Sequence, residues 1–352
     1  MAQIDKPNLH FNTKLYTGNG STQHSITGVG FQPDWTWIKS RDDAYSHFWF
    51  DAVRGVGKQI YSNSANAQGT NMNNLYSFNT DGFSLAQSGN DDVTNKNNSN
   101  FVSWNWKANG AGSANSDGTL SSTVSVNTAA GISIVKYTGN GSAGATVGHG
   151  LGAKPNVIIL KSYENGQQWA AYWEVLGATK YMRFNTTNAV STSNARWYDT
   201  EPTTSVFTIG NDGEVNTNTE DHIAYCFTEK KGFSKFGSYK GRGSQSSNNK
   251  YPFTYCGIKP AFVLVKNTQQ GTDNWFTWDN KRPGYNQTQK YLSHNNANAE
   301  ADSSSYAIDF LSNGFVIRST TGAINNNNEE IIFMAFAENP IVGSNNVPVT
   351  AV

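Results

Sequence analysis

The chain has 352 residues, and its 26 Lys and Arg balance 26 Asp and Glu, so the formal net charge is zero. A neutral chain has no basic surface for a phosphate backbone or an anionic lipid, so we expect no nucleic acid or membrane partner. The sequence contains no apolar run of about eighteen residues and the start MAQIDKPNLHF has no apolar signal core, so we expect no membrane insertion, no export and folding in the cytoplasm.

In chain order, the first motif is a turn sequence that recurs three times. YTGNGS stands at 16–21 and again at 137–142, and YKGRGS stands at 239–244. Gly and Asn tolerate positive φ, and the flanking KLY, ISIVKY and SKFGSY alternate in polarity as half-buried strands do. We therefore predict a tight hairpin turn with a structural role at each copy. A phosphate-binding loop is disfavoured, because no Lys-Ser/Thr pair and helix follow.

Each turn is followed by a landmark segment that begins with Pro and ends with Lys. The three segments are PDWTWIK from Pro33, PNVIILK from Pro155 and PAFVLVK from Pro260. Their consecutive apolar residues predict a central strand covered on both faces. Each copy then closes with an aromatic strand, and from the landmark Pro to the closing aromatic the separations are 73, 72 and 76 residues. This spacing indicates three homologous units.

The composition and the strand patterns predict an all-β fold with little helix. Charged residues make up only 15%, and Asn, Ser, Thr and Gly dominate the polar remainder. We predict three tandem antiparallel β-sandwich modules, jelly-roll or lectin-like, of about 100 residues each. The predicted boundaries are an N-terminal arm at 1–12, module 1 at 13–110, a Gly/Ser/Thr linker or extended connection at 111–130, module 2 at 131–231, module 3 at 232–338, and a C-terminal tail at 339–352.

Lysine and carboxylate positions also recur in the three copies. The pairs are Lys39 with Asp51, Lys161 with Glu174, and Lys266 with Asp279. Because a structural contact would recur in every copy, we predict salt bridges or hydrogen bonds between neighbouring strands and not ligand contacts. Neither a Ser-His-Asp nor a Cys-His arrangement is defensible, so we predict no catalytic residues and no enzyme activity.

No metal site or cofactor site is predicted. The six histidines have no paired spacing that suits zinc. Loops from Gly89 and Gly210 carry oxygen ligands suited to Ca²⁺, but solvated turns are favoured because the spacing is not that of an EF-hand. Cys226 and Cys256 are predicted to be small core residues.

Aromatic side chains in the segment after each landmark strand are the candidate ligand- or partner-binding residues. The candidates are Tyr45, His47, Trp49, Trp169, Trp173, Trp275, Trp278 and Tyr285. Aromatic platforms beside Asn and Asp suit stacked sugar rings, and they also suit protein interfaces. The alternative, that the same residues fill the core, stays open for each of them.

Taken together, the motifs resemble a family of β-rich repeat modules found in virion proteins of tailed phages, many of which infect marine bacteria and cyanobacteria. The resemblance is carried by YTGNG, GFQPDWTWIKSRD, YSFNTDGFSL and FVSWNW, and by FGSYKGRG, KPAFVLVKNT, AIDFLSNGFVIRST and IIFMAFAENP. It extends from about residue 14 to residue 340, and the second copy, with VGHGLGAKPNV and NDGEV, departs from it most. The resemblance implies a protein of the phage particle without assigned catalytic residues.

The leading functional hypothesis is a tail fibre or appendage adhesin that binds host surface glycan without cleaving it. The alternative is a capsid-associated decoration or head-fibre protein that contacts other virion subunits, and a polysaccharide depolymerase is a third possibility. The expected partners are other virion subunits and host surface polysaccharide. We expect homo-oligomers, with trimers favoured, located in the virion after assembly in the host cytoplasm.

Overall fold

The computed structural model describes residues 3–86, 93–243, 251–338, 341–342 and 348–349. It is all-β, with 42% strand and 6% helix, as the composition predicts. The helical segments in the described part are short: Pro7–Leu9 and Ser304–Tyr306 are 3-10 turns, and α1 (Asn194–Trp197), α2 (Gly213–Asn216) and α3 (Gly322–Asn325) are single-turn α-helices.

The strands fall into three successive groups along the chain. The first group is β1 (Phe11–Thr17), β2 (His24–Thr27), β3 (Trp35–Ser40), β4 (Phe48–Asp51), β5 (Lys58–Tyr61), β6 (Gly69–Thr70), β7 (Ser77–Asn79), β8 (Gly82–Leu85) and β9 (Asn100–Trp106). The second is β10 (Ser113–Asn115), β11 (Ser122–Asn127), β12 (Ile132–Thr138), β13 (Ala145–Gly148), β14 (Val157–Ser162), β15 (Ala170–Trp173), β16 (Lys180–Arg183), β17 (Ser191–Thr192), β18 (Val206–Ile209) and β19 (Asp221–Phe227). The third is β20 (Ser234–Lys240), β21 (Phe253–Tyr255), β22 (Pro260–Asn267), β23 (Phe276–Asp279), β24 (Lys290–Ser293), β25 (Ala301–Asp302), β26 (Ile308–Leu311), β27 (Gly314–Ile317) and β28 (Glu330–Ala337), followed by the short pair β29 (Ile341–Val342) and β30 (Pro348–Val349).

Each group forms one large and one small antiparallel sheet. The large sheets have the orders β1-β9-β3-β4-β5-β6, β10-β11-β12-β19-β14-β15-β16-β17 and β20-β28-β22-β23-β24-β25. Apart from the added β10-β11 hairpin, the second order repeats the first and the third. The small sheets are β2-β8-β7, β13-β18 and β21-β27-β26. The landmark strands β3, β14 and β22 are central in the large sheets, each pairing with its closing strand on one side.

Both faces of each large sheet are apolar. In β14, Val157 and Ile159 belong to a cluster that receives side chains from all three large sheets, which we call the central core. Ile158 and Leu160 on the opposite face pack with the second small sheet. The other two large sheets likewise pack one face on their own small sheets. Successive strand residues point to opposite faces, so the landmark strand is apolar throughout, and the prediction of a strand covered on both faces is confirmed.

The three large sheets are joined in a closed ring. Three equivalent backbone hydrogen bonds connect them: Gln68 N to Tyr163 O at 2.7 Å, Val190 N to Thr268 O at 2.7 Å, and Glu300 N to Arg41 O at 2.8 Å. The acceptor in each case lies two residues after the landmark lysine. Because the third bond returns from the third sheet to the first, the sheets surround the central core and do not form a row.

The repeated turn sequence differs from its prediction. It is not a hairpin turn, because β1 pairs with β9 while β2 pairs with β8. It is a corner that carries the chain from a large sheet to a small sheet. In the second copy, a Cβ on Gly139 would lie 2.3 Å from the carbonyl oxygen of Thr217. Gly141 has a φ of 69°. Both positions therefore require glycine.

A buried asparagine holds each corner. Asn216 is fully buried, and its Oδ1 accepts from the backbone N of Asn140 at 2.8 Å. Its Nδ2 donates to the carbonyl of Ser142 at 2.9 Å. Asn95 makes the equivalent pair of contacts in the first corner, and in the third Asn325 accepts from the backbone N of Arg242 and donates to the carbonyl of Gly243. A tyrosine hydroxyl supports each of them by donating to the carbonyl of the residue before the asparagine, and these pairs are Tyr16 to Thr94, Tyr137 to Val215 and Tyr239 to Ile324.

Part of the predicted linker at 111–130 is strand. Residues 113–115 and 122–127 form the β10-β11 hairpin, and β11 pairs with the edge strand β12. The Gly/Ser/Thr composition hid an alternating pattern in which Val124 is only 4% exposed. Val124 packs into the apolar cluster between the second large sheet and its small sheet, which we call the second outer cluster. Of the predicted tail at 339–352, only β29 and β30 belong to the described residues. Residues 89–92 of the loop from Gly89, whose oxygen ligands suit Ca²⁺ but which is predicted to be a solvated turn, lie outside them.

The corner generates the first prediction. Replacing Gly139 with Ala places a methyl group against the Thr217 carbonyl oxygen, so we expect the free energy of unfolding to fall by about 1–3 kcal/mol. Urea unfolding measures the change. The matched control is Gly166→Ala, where the nearest atom to an added Cβ is 3.9 Å away and the expected change is below about 0.5 kcal/mol. Equal losses in both variants would contradict the steric account.

Candidate binding groove

Most of the aromatic candidates are core residues. His47, Trp49, Trp169, Trp173, Trp275 and Trp278 are each at most 1% exposed. These residues lie in β4, β15 and β23 or directly before them. Because both faces of these strands are covered, the alternation of side chains between the two faces exposes none of the six. A ligand-contacting role for these six is therefore wrong in this structure. Tyr45 is half-buried, and Tyr285 is 79% exposed.

Two of the tryptophans instead fasten one large sheet to the next. Trp169 Nε1 donates to the carbonyls of Tyr61 and Ser64 at 3.0 and 3.1 Å. Trp275 Nε1 makes the corresponding bonds to Arg183 and Thr186. This aromatic position thus joins the second sheet to the first and the third sheet to the second.

The recurring lysines do not pair with the recurring carboxylates. Lys39, Lys161 and Lys266 are fully buried, and each Nζ donates to backbone carbonyls of its own hairpin, one and four residues ahead. Burial lowers the pKa of Lys39 and Lys161 to about 7 and that of Lys266 to about 8. The lysines organise the loops, and the predicted lysine-carboxylate contacts are corrected.

The carboxylates bond arginines instead. Asp51 binds Arg54 Nε and Asp279 binds Arg282 Nε, each at 2.6 Å and with both side chains at most 1% exposed. Each carboxylate also accepts from an aromatic donor on another sheet. Tyr225 OH reaches Asp51 at 2.7 Å, and Trp104 Nε1 reaches Asp279 at 3.1 Å. These carboxylates hold seams between sheets.

Glu174 is not the third member of this set. Strand register places Asp51 opposite Trp35 and Asp279 opposite Phe262, but Trp173 opposite Val157. The equivalent position is therefore occupied by Trp173. Glu174 pairs with Lys154 and is 40% exposed. Leu176 replaces the arginine three residues on, and Met334 replaces the aromatic donor, so this seam is apolar.

No cluster of titratable groups suggests a metal centre in the described ranges. No group of three or more His, Cys, Asp or Glu side chains there is arranged to hold an ion. His47, His149, His222 and His294 are fully buried, and burial lowers the pKa of His149 and His222 to about 4 and that of His47 and His294 well below its usual value. Cys226 and Cys256 are buried free thiols, which confirms their predicted place in the core.

An open concavity lies beside the edge of the third large sheet. This groove has a volume of about 820 Å³ and runs between β20 and β21. Phe253 and Tyr255 form one wall and are 47% and 66% exposed. Val175, which is 45% exposed, lies at the end nearest the second sheet. Aromatic rings left this open beside a concavity are typical of recognition surfaces.

The opposite wall is the free edge of β20. Phe236 N donates to the side-chain Oε1 of Glu229 at 3.0 Å and therefore points away from β28. Residues two and four positions further along β20 direct their backbone groups to the same outward side. Ser238 and Lys240 have the same orientation, and their outward N–H and C=O groups have no hydrogen-bond partner among the described residues. An unpaired edge of this kind is a template for another strand.

The groove is basic at one end. Lys240 and Arg242 line it without an ion pair to any described residue. Lys235 at the other end is neutralised by Glu229 at 2.8 Å. A ligand with negative charge at the Lys240 end therefore suits the groove best.

Sequence reasoning did not find this site. Phe253 and Tyr255 precede the landmark strand, whereas the predicted binding residues all lie in the segment after it. A signal was present, because the positions equivalent to Phe253 and Tyr255 carry Thr146 and Gly148 in the second copy. Where homologous copies differ most in side-chain size at a surface strand, a difference in contacts is expected.

The structure thus defines an all-β protein with three sheet pairs around one core and a sheet edge, that of β20, that no other described strand pairs with. By sequence, the chain belongs to the family described as a domain of unknown function, DUF7483, whose model matches residues 6–340. No curated protein matches it. None of the described helices is long or apolar enough to cross a bilayer.

The seam between the first and third sheets generates a prediction. Arg282→Met leaves the Asp279 carboxylate buried without its cation, so we expect a loss of about 3–5 kcal/mol in the free energy of unfolding. Lys259→Met is the matched control. It removes a surface pair with Glu338, and we expect a loss below about 1 kcal/mol in the same urea titration.

A rescue variant sharpens this test. Asp279→Trp, Arg282→Leu and Trp104→Met together copy the apolar seam, and we expect this triple variant to be more stable than Arg282→Met alone. A triple variant less stable than the single one would show that the seams are not interchangeable.

The buried histidines generate a pH prediction. They are neutral in the folded state, while unfolded histidine is protonated near pH 6.5, so the unfolded state binds more protons and stability falls as pH drops below that value. His294 is equivalent in position to Phe184 of the second copy, so His294→Phe introduces a residue that the fold already accepts there. Between about pH 7 and about pH 5, the free energy of unfolding of this variant should fall by about 2 kcal/mol less than that of the parent. Urea midpoints measured across this range are the test, and parallel curves would contradict it.

Proposed function

We propose that this chain is a non-catalytic structural protein of a tailed-phage particle, built from three tandem β-sandwich modules, and that its groove docks another virion subunit. The observation that carries the docking role is the free edge of β20 facing exposed Phe253 and Tyr255. The repeated strand order and the three separate sheet-to-sheet clusters support the modular description. The phage assignment is supported by the sequence motifs between residues 14 and 340.

The recurring residues support a non-catalytic role. Asp51 and Asp279 form buried ion pairs with arginines, so neither carboxylate can reach a substrate. In the second copy, Trp173 stands at the equivalent position. Glycosidase chemistry needs two carboxylates that flank a substrate in one cleft, which is why a depolymerase is the weaker proposal. Because most aromatic candidates are buried, contact with a virion subunit, in a capsid decoration or an appendage, is favoured over glycan adhesion.

Glycan adhesion is the second candidate, and one observation favours it. Tyr255 and Tyr285 are 66% and 79% exposed, and such rings stack on sugars. Tyr285 lies outside the groove, next to Gln287 and Lys290. Loss of Tyr255 would therefore affect docking in the groove, whereas loss of Tyr285 would affect only sugar binding outside it. The homo-oligomer expected from the sequence, with trimers favoured, is retained as part of the proposal.

The test is incorporation into particles. Phe253→Ser with Tyr255→Ser should lower the number of copies per purified particle, measured by mass spectrometry, because the docking wall is lost. The control is Tyr285→Ser, an exposed aromatic outside the groove, which should be incorporated normally. Absence of the parent protein from particles would reject the virion role. Normal incorporation of the double variant would reject the groove as its docking site.

A further inference from the structure

We propose that the occupant of the groove is an extended strand of a partner polypeptide, acidic at its N-terminal end, that adds to β20 as β11 adds to β12 in the same chain. The inference rests on the proposed docking function and specifies its mode. Addition of a strand to a sheet edge supplies main-chain hydrogen bonds, and alternate side chains supply specificity.

The second large sheet provides the geometric precedent. Tyr137 and Tyr239 are equivalent, since each is the last residue but one of its strand and donates to the carbonyl of the residue before the corner asparagine. The equivalents of Ser238 and Phe236 are therefore Lys136 and Ile134. In the second sheet those residues are paired with Thr123 and Ser125 of β11. The partner strand would occupy the position of β11.

The small-sheet wall differs in a way that fits a separate partner. In the second copy, Gly148 leaves space for Asn115, whose Oδ1 would lie 1.7 Å from an added Cβ. Thr146 exchanges hydrogen bonds with Thr119. Small residues at this wall thus admit the protein's own chain. The third copy has Phe253 and Tyr255 instead, which present apolar area to a strand that comes from outside.

The floor of the groove also changes. Gly237 stands where the second copy has Val135, and the Phe333 ring lies beneath it, 3.3 Å from the position of an added Cβ. The partner's alternate side chains would contact this floor. In β11 the corresponding residues are Val124 and Val126, which pack against the second outer cluster. A partner strand with small apolar residues at alternate positions therefore fits.

Charge and direction together orient the partner. β11 runs antiparallel to β12, with Ser122 opposite Tyr137 and Asn127 opposite Ile132. A strand added to β20 in the same way starts beside Tyr239. Its N-terminal end therefore lies next to Lys240 and Arg242, the cations without described partners. Acidic residues at that end complete the recognition.

The probe is a fluorescent peptide, DDSSTVSVNT, which contains residues 121–128 of this chain preceded by two aspartates. Anisotropy titrations use the full purified chain at low salt. We expect saturable binding, and weaker binding of the matched peptide KKSSTVSVNT. Lys240→Glu with Arg242→Glu should weaken binding of the first peptide. The control Lys58→Glu with Lys180→Glu, which changes two cations outside the groove, should leave it unchanged.

Ser238→Pro tests the strand mode directly. Proline removes an outward N–H that has no partner among the residues the structure describes, so it is tolerated at this edge while a hydrogen bond to the probe is lost. We expect up to about tenfold weaker binding. Hydrogen exchange provides the second measurement, which needs no variant. In the parent protein the probe should slow exchange of the Ser238 and Lys240 amides, whether or not the proline variant folds.

The results separate the inference from the proposed function. No binding of the probe at about 1 mM, or binding without protection of Ser238 and Lys240, overturns strand addition. If the Phe253 and Tyr255 double variant still fails to enter particles, the docking function stands while the strand mode falls. If host envelope polysaccharide binds and contacts Tyr255 without protecting the β20 amides, the groove is a sugar site and the inference is wrong.

Discussion

The structure depends on apolar contact among three sheets that cannot be completed within any one of them. Each large sheet covers its outer face with its own small sheet, but the inner face is equally apolar. Trp35 stacks on Trp106 of its own sheet at 3.9 Å and meets Tyr225 of the second sheet at 4.8 Å. Exposing such aromatic area would cost several kcal/mol per residue, so the three sheets close on one another. The three copies are homologous, but their inner faces form a single shared core.

The seams of this ring show how repeats become specific for their neighbours. Two seams join an aspartate-arginine pair to an aromatic donor, and the third replaces all three residues with Trp173, Leu176 and Met334. A buried charge is tolerated only with its partners, so these positions have to change together. The chain thus contains, within itself, both a polar and an apolar solution to the same packing problem. Different solutions at different seams favour one arrangement of the three copies.

The large-sheet edges have diverged further than the seams. The edge of the second sheet is covered by a hairpin of the same chain, whereas no described strand covers the edge of β20 beside Phe253 and Tyr255. Residues that recur in all copies, such as Lys39, Lys161 and Lys266, are buried and hold the architecture. The features that suit a binding role lie where the copies differ. This division follows from the closed core, because recurring faces are covered and only edges and loops remain to meet a partner.

Several features follow from local pattern alone. Continuous apolar landmark strands can only be covered on both faces, and their similar distances from the closing aromatics reflect pairs such as Trp35 with Trp106. Other features depend on which segments meet in space. Period-two alternation cannot distinguish a face that meets solvent from one that meets another sheet, so Trp169 and Trp275 resembled surface platforms but lie in the core. Alternation also cannot show that a Gly-x-Gly corner joins two sheets, that Arg54 and not Lys39 neutralises Asp51, or that no described strand pairs with the outer edge of β20. Those outcomes were decided by tertiary structure, because each depends on contacts between residues far apart in the chain.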